Sequence, residues 1–113
     1  MVARSYRLFK KSDFDRLFAR GLRYRTPLLS LVVSRGTNPL LRFAVIISVK
    51  TAKRASERNL LRRRLTEYVR HLLPQLHKGY DCAFIVHPKA VTARREDFTT
   101  AASFLLKKAR LLF

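Results

Sequence analysis

Arg58, Asn59, Arg62, Arg63, Arg64 and Arg70 crowd into one short stretch of this chain. A guanidinium group is a planar fork of donors that grips two phosphate oxygens at once, and an amide beside it can read a sugar or base edge. On a helix advancing about 100° per residue, Asn59, Arg63, Thr66 and Arg70 fall on one side, with Arg58, Arg62 and Arg64 on its flanks. The bland alternative is a solvated face whose arginines pair with carboxylates one turn away. Between residues 56 and 73 only Glu57 and Glu67 are acidic, against five arginines. Two carboxylates cannot neutralise five guanidinium groups, so the face suits a polyanion.

The element that must carry this face is a helix from Ser56 to Leu73. Leu61, Leu65, Tyr68, Val69 and Leu72 share its opposite side and predict a core-facing stripe. Lys50, Lys53 and Arg54 fill the link just before the helix. Free N–H groups at a helix start already attract anions, so these cations predict a reinforced phosphate site there.

Composition points the same way. The chain has 113 residues, 48% of them hydrophobic, which predicts one domain (1–113) with one core. Lysine and arginine number 25 against 7 acids, a net charge of +18 that repels itself unless a partner screens it. Nucleic acid and an anionic membrane surface would both satisfy the charge. No apolar run approaches the length of a membrane span, and the N-terminus lacks the apolar segment of a secretory signal, so a cytoplasmic protein is expected. The lone Cys82, inside an apolar run and without cysteine or histidine neighbours, reads as a buried thiol.

A protein active site is not evident. The seven acids, Asp13, Asp15, Glu57, Glu67, Asp81, Glu96 and Asp97, form no cluster of the kind that holds Mg²⁺ in nucleases. His71, His77 and His87 have no evident nucleophile or orienting partner.

Along the chain, residues 1–11 form a basic arm with Arg4, Arg7, Lys10 and Lys11, of a kind often ordered only by a phosphate backbone, though Tyr6, Leu8 and Phe9 can dock locally. Ser12 as N-cap and Asp15 signal a first helix that Gly21 ends. Phe14, Leu17 and Phe18 share one of its faces; spacing alone makes that face core, and an aromatic pair beside a basic surface can instead stack on unpaired bases. Extended chain follows from Leu22, then a strand over 28–33, a turn over 35–39 and a strand over 41–49, these two strands expected to pair as a hairpin. After the arginine helix come a strand over 80–86, ended by His87, Pro88 and Lys89, and a last helix over 95–112 with Phe98, Ala102, Leu105, Ala109 and Leu112 in one stripe. Strand, helix and strand in this order imply a βαβ unit whose helix turns its polar face outward.

At Arg58, Asn59, Arg62 and Arg63 the central helix resembles the arginine-rich signature of the protein subunit of bacterial ribonuclease P. Other landmarks agree in order: Asp13-Phe14 and Phe18 before Gly21, the basic link after a Val-rich strand, Tyr80-Asp81, and Pro88 to Ala90. The likeness covers almost the whole chain. It departs where the family has arginine at Leu60 and Thr66, lysine at Thr51 and glycine at Lys53. The resemblance implies an α+β fold, a single-domain α/β sandwich of order αβββαβα with a left-handed βαβ crossover. It also implies a subunit without an active site of its own, which joins a catalytic RNA and helps it, with Mg²⁺, cut the 5′ leader from precursor tRNA. By the same likeness Lys50, Lys53, Arg54, Arg58, Asn59, Arg62, Arg63 and Arg70 would hold the RNA. Phe14, Phe18 and Lys89, with His87 at the border, would line a cleft for the leader. No membrane partner and no protein oligomer is expected. Composition alone would equally allow a structural RNA binder of the ribosomal-protein type. A protein-only nuclease would need a catalytic group that the sequence does not display. A duplex-DNA reader would need a helix-turn-helix partner for the arginine helix.

Overall fold

A computed structural model describes residues 4–112. Its elements are α1 (Lys11–Arg20), β1 (Leu22–Arg25), β2 (Leu29–Arg35), β3 (Arg42–Ile46), α2 (Ala55–Leu72), β4 (Tyr80–Val86) and α3 (Arg95–Lys108). This is the α+β order αβββαβα, with short 3-10 turns at Arg4–Tyr6, Leu73–Gln75 and Pro88–Val91. Residues 1–3, the start of the basic arm, lie outside the described residues.

The four strands form one sheet in the order β1-β2-β4-β3. β1 and β2 make the antiparallel hairpin, β2 pairs antiparallel with β4, and β3 runs parallel to β4. The expected hairpin between the second and third extended stretches is therefore not formed. β4 enters between them: its run Cys82 to Val86 is largely buried on both faces, which suits a strand paired on both edges with helices over each face of the sheet. The βαβ unit β3–α2–β4 is present, with α2 as its crossover.

Side chains alternate across each strand, so the sheet presents two faces. α2 and α3 cover one, burying Leu31, Phe84, Leu65, Val69, Phe98 and Leu105 completely or nearly so. α1 lies on the other, with Leu17, Leu8, Val32 and Ala83 as a smaller cluster. The predicted stripe of α2 is confirmed: Leu61, Leu65 and Val69 are buried, and Tyr68 and Leu72 pack at its margin. Cys82 is fully buried, and burial pushes its thiol up to about 12.

Several ends differ from expectation: β3 stops at Ile46, three residues before the expected 49, β2 runs on to Arg35, and α2 lies one residue earlier than 56–73. α1 begins at Lys11 rather than after Ser12, since the Lys10 carbonyl already accepts the N–H groups of Asp13 and Phe14. Gly21 ends that helix in extended backbone, φ −70°, not in a left-handed turn. Its lack of a side chain serves close approach instead, because a Cβ there would sit 2.5 Å from the Leu17 carbonyl oxygen and 2.6 Å from Val32. α3 stops at Lys108, four residues early, in a Schellman turn: Leu111 N–H donates to the Leu106 carbonyl (2.9 Å) and Arg110 N–H to that of Lys107 (3.0 Å). Arg110 takes the left-handed position with φ 60°, where glycine is favoured and a larger residue costs roughly 1–2 kcal/mol.

Candidate nucleic-acid interface

α2 turns Asn59, Arg62, Arg63 and Arg70 to solvent, as the wheel requires. Lys50, Lys53 and Arg54 are exposed just before it. Their link is shaped by Ser48 and Thr51, whose hydroxyls lie 3.2 Å apart, and by the Thr51 hydroxyl donating to the Val86 carbonyl at 3.4 Å. The carboxylate of Glu57 accepts the Arg54 backbone N–H at 3.4 Å, occupying a free donor at the helix start.

Two of the predicted arginines are partly engaged by the protein itself. One Nη of Arg58 donates to the carbonyls of Ala52 (2.8 Å) and Lys53 (3.0 Å), tying the basic link back onto the helix. Arg58 thus positions the cations of the link. Arg70 donates twice to the Glu67 carboxylate, at 2.9 and 3.2 Å, and this pair holds the Glu67 carboxyl down to about 2. Both partners are well exposed, so water and phosphate compete for the contact.

Asn59, Arg62, Arg63 and Thr66 form one wall of a groove of about 600 Å³. Its floor is the outer edge of β3, Phe43 to Val45, and its far wall is the segment Arg7–Phe9. That segment of the basic arm is docked: Arg7 bridges Phe43 as a short parallel strand, Leu8 N–H donates to the Phe43 carbonyl at 3.0 Å, and Leu8 is buried. Arginines on both rims over an apolar floor are an arrangement for a phosphate backbone with its sugars or bases inward.

A second surface lies on the α1 side of the sheet. Phe14 and Phe18 stack at 6.4 Å with their planes 16° apart, and the Arg23 guanidinium stands 5.4 Å over the Phe18 ring. Half-buried Ala44, Ile46 and Ile85 continue this face as an apolar floor. Strand alternation brings Arg23 and Arg25 of β1 to the same face, contributions that sequence reasoning missed. Their only sequence signal is the alternation LRYR, legible once β1 is known to be a strand. At the end of β4, His87 Nε2 meets the Ser30 hydroxyl at 2.7 Å. Lys89 is exposed on the following 3-10 turn, and among the described residues no hydrogen bond, ion pair or ring contact joins it to Phe14 or Phe18.

Three comparisons bear on what these surfaces serve. The family model described as Ribonuclease P matches residues 2–110. The chain belongs to the ribonuclease P protein family. Among relatives, the ribonuclease P protein component of a Cyanothece species is 32% identical over 99% of this chain and 98% of its own length. That of Chloroflexus aurantiacus is 34% identical, covering 98% and 82%. The ribonuclease P fold is seen in the Staphylococcus aureus protein, with a TM-score of 0.88 at 19% identity over 96% of this chain and 98% of that one. The Thermotoga maritima protein, solved with 1-(4-fluorophenyl)-2-thiourea, gives 0.82 at 22% identity over 90% and 98%. Membership implies a part in tRNA processing within an endoribonuclease complex and partnership with the ribonuclease P RNA.

Among the described residues, no three histidine, cysteine, aspartate or glutamate side chains come together as a metal site. No described helix is long and apolar enough to cross a membrane.

Proposed function

We propose that this chain is the protein subunit of ribonuclease P that binds the catalytic RNA along α2 and the 5′ leader of precursor tRNA along the α1 face. It acts in the cytoplasm. The observation that carries the reading is the groove in which Asn59, Arg62 and Arg63 face Arg7 across the β3 edge. Lys50, Lys53 and Arg54 extend this surface before the helix, and Arg58 holds them in place. Arg70 joins it by exchanging Glu67 for phosphate. Such contacts fix position without reading sequence.

The leader, being single-stranded and of any sequence, needs a surface that stacks bases without choosing among them. Phe14 and Phe18 supply that, with Arg23 and Arg25 along the rim for its phosphates. Lys89 and His87 stand at the far end of β4, where they would meet a strand that runs the length of the face.

Phosphodiester hydrolysis with Mg²⁺ is assigned to the RNA. The protein's contribution is charge: cations near the RNA screen phosphates that would otherwise repel substrate and let fewer Mg²⁺ ions suffice. The test is reconstitution. Adding the chain to a bacterial ribonuclease P RNA at low Mg²⁺ should raise cleavage of precursor tRNA at the 5′ end of the mature sequence. No rise at any protein concentration rejects the reading, and specific cleavage by the protein alone would replace it with a protein-only nuclease.

A further inference from the structure

A second basic groove, sharing no residue with the α2 groove, lies where the C-terminal ends of α1 and α3 meet the end of the sheet. Its volume is about 580 Å³. Arg16 and Arg20 come from α1, Arg35 from the end of β2, and Lys108 and Arg110 from the end of α3; Tyr24 and Tyr80 line the space between them.

Three features distinguish this groove from an ordinary solvated surface. No carboxylate lines it, and among its five cations only Arg16 has a carboxylate partner among the described residues, Asp13 at 3.4 Å. The cations converge from three elements remote in sequence, and helix-dipole pairing accounts for Arg20 and Lys108 in the last turns of α1 and α3 but for neither Arg35 nor Arg110. And Arg110 occupies a left-handed backbone position, φ 60°, that glycine would fill without strain. A side chain present where it strains the backbone is a candidate for a use of its own.

We infer that this groove is a second RNA site, taking a single strand distinct from whatever α2 holds. The guanidinium groups bind successive phosphates, and the half-exposed tyrosines offer rings for bases. Arg35 lies 5.6 Å over the Tyr80 ring, so ring and guanidinium form one platform. A duplex would keep its bases stacked away from such rings. The inference takes from the proposed function only that the partner is RNA.

The test uses the full chain and a short oligouridylate carrying 5-iodouridine, photocrosslinked at physiological salt, with crosslinked residues mapped by mass spectrometry. Crosslinks are expected at Tyr24 or Tyr80 in addition to any near α2 or Phe14. In Arg110→Gly the groove crosslinks should drop several-fold while the melting temperature rises by about a few degrees, and crosslinks elsewhere should persist. Arg35→Ala combined with Lys108→Ala should lose the same crosslinks with the circular dichroism unchanged. Absence of crosslinks at both tyrosines, or crosslinks indifferent to these variants, overturns the inference and leaves the α2 site standing. Loss of both crosslinks and melting temperature in Arg110→Gly assigns Arg110 to the fold and also overturns it. Groove crosslinks that persist in a chain showing none near α2 would instead defeat the α2 reading.

Discussion

The Arg42 guanidinium grips both oxygens of Asp81, Nε to Oδ1 and Nη2 to Oδ2, each at 3.0 Å. Its remaining Nη reaches Asp13 of α1 at 3.3 Å, and Arg16 reaches the other oxygen of Asp13 at 3.4 Å. One buried network thus pins the first helix to the start of β3 and β4, and with it the placement of Phe14. Hydrogen bonds to Asp81, foremost, raise the Arg42 pKa against the burial that lowers it. Gly36 makes room: a Cβ there would stand 2.8 Å from Asp81 Oδ1.

Removing Asp81 takes two of its three carboxylate contacts from the Arg42 guanidinium and leaves only Asp13. Asp81 is 2% exposed, and Asp81→Ala is expected to cost about 3–5 kcal/mol in urea unfolding. Replacing Arg42 and Asp81 together by apolar residues of similar volume should cost less than either single change. A single change without measurable cost would show the network to be incidental.

The two sides of α2 should separate cleanly. Arg63→Ala should leave the melting temperature unchanged and lower the salt slope of RNA binding by about one phosphate contact. Leu65→Ala, at a fully buried position, should destabilise by about 2–5 kcal/mol and leave the salt slope as it was.

Glu67 restrains Arg70 through an exposed pair that adds little to stability. Glu67→Gln is therefore expected to tighten RNA binding a few-fold and steepen its salt slope by up to about one. Titrations of both proteins against one RNA over a range of salt decide it.

Leu60 stands 41% exposed on the polar side of α2, among arginines. Leu60→Arg should add about one phosphate contact to the salt slope without loss of stability. An unchanged slope would place residue 60 beyond the RNA surface.

Burial first, and the charge of Arg25 second, lower the His87 pKa. The unfolded chain then takes up this proton near its ordinary value of about 6.5, before the folded chain does, so stability falls as pH drops below that value and is unaffected by this group above it. Urea midpoints at about pH 5.5 and about pH 7.5 should differ more for the native chain than for His87→Gln.

Much of this could be read along the chain because its causes are local. The wheel that separates Leu61, Leu65 and Val69 from Asn59, Arg63 and Arg70 depends only on helical spacing. The strand Tyr80–Val86 declares itself by the apolar run Cys82 to Val86 between Gly79 and Pro88. What the sequence alone did not determine was pairing between remote segments. β2 and β4 are both buried on both faces and take the two central places, and their pairing, with β3 on the far edge of β4, is a choice between remote segments that no local pattern expresses. Arg58, Arg63 and Arg70 are alike as sequence, yet folding gives the first to carbonyls of the link, leaves the second exposed on a groove wall and lends the third to Glu67. Arg23 reaches Phe18, and Arg35 comes to line one groove with Arg110, only once the chain has closed its sheet. Residue type fixed the sign of the charge; the tertiary structure decided which charges face a partner, because only packing determines which donors the protein itself uses.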